Sequence, residues 1–482
     1  MKLLLHAALG CAVLGAALLT AMTYAVDADA DDASRLARAE PTATTRDDGK
    51  AMPTLSAPDL EAWRPTFAAS YGGPPPSPTG EFRYLAVAEG FNAPIFDRTH
   101  GGPRVIGRVR RGNALLARPA SGPRRSCAMG GERGRWYELQ REGFVCSARD
   151  FDMERSPLDV EVDQLQPDVT RPLPFRYARV TTEGAPRLSR LPTARELVAI
   201  DALGDAREDG PGVVVERMWD DFFLALDREV EHLGRGFFRT VQGEYVLKEH
   251  VTLRPTPPLV GEALDDGLEQ PLAFIHDPEG AAIYCRQDGA LRACGEAKHH
   301  ARVFVDRRLE RGGEEYVVDT EGRVLARDDV RLVEAIEPPR RVPDDAHWVH
   351  IDLSEQTLVA YEGDRPVYAT LVSTGKPGHD TPTGLYQTQR KYLSKTMRGR
   401  DAVEGIYHVE EVPWVLYYRG GYAVHGAYWH NTFGNTRSHG CTNVAPADAR
   451  WLYYWSVLDV PDGWHAVTGR KGTWFYFTRD RA

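Results

Sequence analysis

The feature that most limits what this chain can fold into is a repeat of short apolar runs. Phe82-Arg83-Tyr84-Leu85-Ala86-Val87 returns as Phe175-Arg176-Tyr177-Ala178-Arg179-Val180, and each copy is followed by Ala-Pro, at Ala93-Pro94 and at Ala185-Pro186. Each copy also closes on an aromatic pair and a glycine-led apolar run: Trp136-Tyr137 with Gly143-Phe144-Val145, and Phe237-Phe238 with Gly243-Glu244-Tyr245-Val246. Short alternating runs punctuated by Gly and Pro read as small β-barrels or sandwiches. Two such units are expected, at 81–155 and 170–256. Within the second, Val213 to Asp227 fits a helix or strands by period, and its β-branched start favours strands. A third β-rich stretch at 265–337, with Val303-Phe304-Val305 and Glu315-Tyr316-Val317-Val318, does not align with the first two.

Ahead of these units the composition changes twice. Residues 1–25 begin with Lys2, continue through an Ala/Leu/Val-rich run and end at Thr23-Tyr24-Ala25, which reads as a secretory signal peptide, with an uncleaved anchor as the alternative. Residues 26–80 carry many acids, few apolar residues and the run Pro74-Pro75-Pro76-Ser77-Pro78, a composition that makes a disordered spacer. The length of 482 residues suggests about three domains. A net charge of −10 argues against nucleic-acid binding.

Cysteines bear on the compartment. Past the signal there are five: Cys127, Cys146, Cys285, Cys294 and Cys441. The first four fall as two close pairs, each inside one β unit, so disulfides Cys127–Cys146 and Cys285–Cys294 would suit an oxidising envelope compartment; four reduced thiols are the alternative. Either way Cys441 stands alone.

Cys441 closes a string that carries chemistry, His425-Gly426-Ala427-Tyr428-Trp429-His430 through Ser438-His439-Gly440-Cys441-Thr442-Asn443. A thiol attacks carbonyls as thiolate and needs a base beside it, for which His425 is the candidate. Gly440 would let the backbone bend so that main-chain N–H groups face an oxyanion. Two plainer readings compete: a small buried hydrophobe, or a zinc site, although no paired-ligand spacing is present. Around the string, Val349, Ile351 and Leu353 alternate as a strand with His350 and Asp352 on a solvated face. Thr357 to Tyr361 and Val367 to Val372 form a hairpin, and Pro446, Ala449, Leu452 and Trp455 mark a helix after the cysteine.

Ser438-His439-Gly440-Cys441-Thr442-Asn443, with His425-Gly426 twelve residues upstream of Ser438, closely resembles the signature of the L,D-transpeptidases with a YkuD-type catalytic domain. The resemblance runs over 346–470 and takes in Ser373-Thr374-Gly375-Lys376-Pro377-Gly378 and Thr381-Pro382-Thr383-Gly384. More weakly, the first β unit resembles a bacterial SH3-like domain. The fold class expected is therefore mainly β: a YkuD-type β-sandwich with a short helix after the nucleophile loop, preceded by two or three SH3-like modules.

The resemblance implies a peptidoglycan enzyme acting on stem tetrapeptides. Cys441 would be the nucleophile and His425 the base, with the carbonyl of Gly426 holding the imidazole tautomer. His439, Gly440 and Cys441 would frame the oxyanion region, and Ser438 would position the loop. Tyr428, Trp429, Tyr418 and Asn443 are the expected substrate-binding residues. Lys376, His379 and the Thr-Pro-Thr-Gly turn would shape the cleft or, more simply, fix a turn. Release of D-Ala and capture of the acyl group by a neighbouring stem would give a 3-3 cross-link, with no metal or organic cofactor. Asn443 and Thr442 depart from the commonest family pattern, which leaves water or a protein lysine as alternative acceptors. A non-catalytic wall-binding protein is the third reading. Wall glycan is a possible ligand of the modules, and a monomer in the cell envelope is expected.

Overall fold

The computed structural model describes residues 76–479 apart from 123–124, 158–164, 204–210, 265–266, 269 and 402–404. The expected signal peptide and the spacer up to residue 75 lie outside the described residues.

The structure is mainly β, and three small modules share one device: the first strand pairs antiparallel with the last. In the first module Tyr84–Ala88 lies against Phe151–Glu154, with Ala88 opposite Phe151. In the second, Arg176–Val180 meets Val251–Arg254, with Val180 opposite Val251. In the third, Leu272–Ile275 meets Val330–Val333, with Ile275 opposite Val330. Each closed unit keeps its own apolar centre, around Ile95 and Val145, around Leu224 and Val246, and around Ile275 and Val317.

The third module does align with the second, against the expectation from sequence. A three-residue strand, one 3-10 turn and the closing strand follow in the same order, through Lys248–His250 in one and Arg327–Asp329 in the other. The shared signal is a run of apolar, three polar, apolar residues too short to find without the fold. The stretch after Val213 is strand as expected, Val214–Met218 and Phe222–His232. A helix at Ala194–Leu203 was missed, although its capping box is legible. Thr193 N–H donates to Glu196 Oε2 at 2.8 Å and Glu196 N–H returns to Thr193 Oγ1 at 3.3 Å. Disulfides join Cys127 to Cys146 and Cys285 to Cys294, with Cα separations of 6.0 and 5.8 Å.

The C-terminal unit has ten strands: β1 (His347–Asp352), β2 (Thr357–Glu362), β3 (Arg365–Ser373), β4 (Gly384–Gln387), β5 (Arg390–Asp401), β6 (Gly405–Arg419), β7 (Tyr422–Gly426), β8 (Thr442–Val444), β9 (Ala466–Thr468) and β10 (Trp474–Thr478). A turn at Gly363, whose φ is 64°, joins β2 to β3 as the expected hairpin. The strands lie in the order β4-β10-β1-β2-β3-β8-β7-β6-β5-β9, folded so that two halves face each other. Val349, Leu358, Trp414, Val424 and Phe475 meet in one core with Trp451 from the helix Pro446–Trp455. Strand β10 pairs in parallel with β1, so the unit extends past the expected boundary at 470 to Thr478. The face of β1 that carries Trp348 and His350 is covered as well, Trp348 packing with Leu259, Phe274 and Val333 from outside the unit. His350 is 6% exposed and contacts Thr478 Oγ1 at 2.7 Å, so the solvated face expected for it is not found.

All three modules are in contact with this unit. In the first, Val105–Arg110 adds to β9, with Gly107 opposite Val467, and Trp464 enters the module's own core. Gly107 is required there, because a Cβ would lie 2.1 Å from the Trp464 ring. Trp464→Ala is expected to destabilise the chain by about 3–5 kcal/mol, read as a lower urea midpoint. An unchanged midpoint would mean that the first module's core closes without it.

Candidate functional site

The site is made by two parallel neighbours. Strands β7 and β8 run in parallel register, Val424 opposite Thr442, His425 opposite Asn443 and Gly426 opposite Val444. Side chains alternate along a strand, so Cys441, just ahead of β8, falls on the face that carries Asn443 and His425. The thiol is half-buried, 3.6 Å from the Gly421 carbonyl, and packs in a cluster with Tyr407, Trp429 and Ala423.

The loop that delivers Cys441 is stitched in place by the Ser-Thr-Gly and Thr-Pro-Thr-Gly segments. Thr381 Oγ1 donates to the Gly440 carbonyl at 2.8 Å and accepts the Gly375 N–H at 2.9 Å. The Thr374 carbonyl accepts the N–H groups of Arg437 and Ser438, and Lys376 N–H donates to the Ser438 carbonyl at 3.0 Å. Gln356, buried at φ 54°, in turn holds Thr374 through both ends of its amide. Ser438 Oγ accepts the Gly440 N–H at 3.0 Å and donates to the Cys441 carbonyl. Gly440 has φ 112°, and a Cβ there would meet the Tyr422 ring at 2.7 Å, so only glycine suits the position. The Gly440 N–H is thus directed at Ser438 Oγ. Thr381, Thr374 and Gln356 were not singled out from sequence, although the first two lie in motifs that were.

Burial sets the protonation of the pair. His425 Nδ1 lies 3.2 Å from the Gly426 carbonyl, which can only accept, so Nδ1 carries the proton and Nε2 the lone pair. Loss of water lowers the His425 pKa to about 4. The same loss pushes the Cys441 thiol up to about 11. Neutral thiol at Cys441 and neutral imidazole at His425 are therefore the resting state, with no thiolate preformed.

The other expected residues divide. Trp429 is half-buried with its ring 5.7 Å from that of His425, a lining position. Asn443, Tyr428 and Tyr418 are buried at 2%, 0% and 1% exposure and do not face an open groove. Asn443 Nδ2 contacts His430 Nε2 at 2.9 Å. Tyr428 donates to the Glu410 carbonyl at 2.8 Å and stacks on Tyr177 of the second module at 3.8 Å. Tyr418 is packed against Phe477. His439 stacks on Tyr407 at 4.9 Å and 11°, and its Nε2 is 3.3 Å from Lys376 Nζ. Lys376 and His379 thus flank the Cys441 loop, and Tyr407 is a site residue that no motif marked.

Two outcomes follow. Thr381→Val removes a donor and an acceptor from buried carbonyl and amide groups, costing about 1–3 kcal/mol per orphaned group, and should slow alkylation of Cys441 as the loop loosens. With iodoacetamide, alkylation of Cys441 in the folded chain should keep rising with pH well beyond about 10, whereas an ordinary thiol, half ionised near about 8.5, levels off near about 10. A plateau at that lower pH would overturn the neutral-pair assignment.

Residues 346–469 match the family model of the YkuD L,D-transpeptidase catalytic domain. Among solved structures, the chain is similar to the catalytic domain from E. faecium L,D-transpeptidase, at 21% identity over 28% of this chain and 98% of that one, with TM-score 0.23. It is also similar to an L,D-transpeptidase from Mycobacterium smegmatis, at 18% identity over 47% and 90%, with TM-score 0.24. A third, residues 123-326 of the L,D-transpeptidase from Xylanimonas cellulosilytica, is 26% identical over 29% of this chain and 63% of that one, with TM-score 0.20. No curated protein matches the chain. At residues 346–469 the chain carries a YkuD-type L,D-transpeptidase catalytic domain.

Proposed function

We propose that the chain is an exported peptidoglycan L,D-transpeptidase in which Cys441 is the acyl carrier and His425 the base. The observation that carries this reading is the fixed tautomer of His425, Nδ1–H on the Gly426 carbonyl and Nε2 open as base, on the same sheet face as the thiol. As Cys441 Sγ attacks the carbonyl of the third residue of a stem tetrapeptide, its proton passes to His425 Nε2. The carbonyl oxygen gains the negative charge and is received by main-chain N–H groups of the loop, with the Cys441 amide nearest. The amide C–N bond then breaks, His425 returns the proton to the departing D-Ala amine, and a thioester remains. An amine from a second stem attacks the thioester, loses its proton to His425, and restores the thiol with a new 3-3 amide bond.

The low pKa of His425 supports the sequence, since a base below its ordinary range gives its proton readily to a leaving amine. The disulfides of the first and third modules support export to an oxidising envelope compartment. The closing strands of all three modules support their reading as SH3-like modules, with wall glycan as the ligand to test.

Incubation of residues 26–482 with disaccharide-tetrapeptide muropeptides, beside Cys441→Ala, tests the reading by mass spectrometry. Loss of D-Ala with a 3-3 linked dimer, absent in the variant, is expected. Loss of D-Ala with tripeptide alone would assign the acceptor to water or to a protein lysine, and no loss of D-Ala would remove the reading. A carbapenem should add its mass to Cys441 in the folded chain.

A further inference from the structure

Strands β5 and β6 form a long hairpin that leans over the Cys441 loop. Tyr407 of β6 lies across Gly399 of β5, where a Cβ would stand 2.3 Å from its ring, and stacks on His439. β6 is bulged here: Glu411 and Trp414 have φ 47° and 58°, and the register with β5 shifts between Lys395 and Met397. The next two residues after Val409, Glu410 and Glu411, are both fully buried carboxylates. Each is answered by an arginine from a different module. Arg187 of the second module, also buried, lies 3.0 Å from Glu410 Oε1, and Ala225 N–H donates to Glu410 Oε2 at 2.9 Å. Arg110 of the first module lies 2.7 Å from Glu411.

The backbone is tied as well. Phe222 and Phe223 of the second module pair in parallel with His408 and Val409 of β6. Tyr177 donates to the Glu411 carbonyl at 2.8 Å. Phe223 also packs beside Trp429, with ring centroids 6.3 Å apart, so the module reaches the wall of the site. Buried ion pairs add little net stability over apolar packing but fix geometry strongly, because no other arrangement satisfies both charges.

We propose that the second β module is part of the catalytic apparatus: Arg187, acting through Glu410, is a positioning residue that sets the β5–β6 hairpin and holds Tyr407 against His439. The module is therefore a fixed wall of the cleft that receives the acyl donor, and not a detachable spacer. This deepens the acyl-transfer reading and rests on it for the meaning of the rate, while the position of the hairpin is measured separately.

The test uses residues 26–482 and the variants Arg187→Met, Arg187→Met with Glu410→Gln, Tyr407→Leu and Tyr407→Phe. Three quantities are read: the urea midpoint, hydrogen exchange of the amides from 405 to 412, and the limiting rate and half-saturation of Cys441 acylation by a carbapenem. Arg187→Met strands buried Glu410 and also leaves Glu216 and Glu244, each 3.1 Å from Arg187, without it, and should lower the midpoint; the double variant should recover the Glu410 part of that loss. Acylation should stay about tenfold or more below the parent in both, with faster exchange in β6, because a misplacement of about 1 Å suffices for such a loss. Tyr407→Leu should lose the limiting rate at an unchanged midpoint, and Tyr407→Phe, which keeps the stack, should retain it. A double variant that recovers both midpoint and rate would reduce Arg187 to a structural role and overturn the proposal, as would parental exchange in β6. If the parent itself is not acylated, the acyl-transfer reading falls, and the exchange data alone decide whether Arg187 positions the hairpin.

Discussion

The parallel register of β7 and β8 is the constraint on which the site depends. Antiparallel neighbours can be joined by two residues, but parallel ones need a long crossover. Here the crossover is the stretch from Ala427 to Cys441, and it has no helix of its own to stiffen it. Its order has to come from outside. The Thr381 hydroxyl and the Thr374 carbonyl hold its last turn, and the third module holds its middle. Arg331 Nε donates to the Gly434 carbonyl at 2.8 Å, and Asn435 Nδ2 reaches the His276 carbonyl. His425 and Cys441, sixteen residues apart, are thus kept in register by groups far away in the sequence.

The three modules divide the labour around that register. The first supports β9 and Glu411, the second supports the hairpin and Trp429, and the third supports the crossover. Each contact mixes a short strand addition or main-chain hydrogen bond with one buried polar group, and such contacts specify position more than they add stability. A catalytic unit of the size of 346–469 has the core to fold as a sheet, but its loops are placed by its neighbours.

Much of this was legible in the residues, and the gaps have physical causes. The Cys441 string, the strands with clean alternation and the cysteine pairs were readable because each depends on local pattern. Glu410-Glu411 was not, because adjacent acids in a strand read as solvated, and only the arrival of Arg187 and Arg110 from hundreds of residues away makes their burial tolerable. His350 was misplaced for a related reason: its strand alternates as if one face were wet, but Leu259, Phe274 and Val333, from earlier in the chain, pack on that face. Tyr428, Tyr418 and Asn443 were assigned to the cleft by proximity in sequence to His425 and Cys441, whereas each is held inside by its own partners: Tyr428 by Glu410 and Tyr177, Tyr418 by Phe477, and Asn443, on the Cys441 face, by His430. Tyr407 carries no motif at all; its place follows from the hairpin, which follows from the modules.

The burial of the Cys441 thiol has a consequence beyond catalysis. Oxidants and disulfides react with thiolates, and a sulfur held protonated is a poor partner for either. The other four described cysteines are already tied in pairs by short loops within single modules. Once the β7–β8 face has closed, the fifth is withdrawn from exchange with them. The surroundings that hold the Cys441 thiol protonated therefore also protect the pairing of the other four described cysteines.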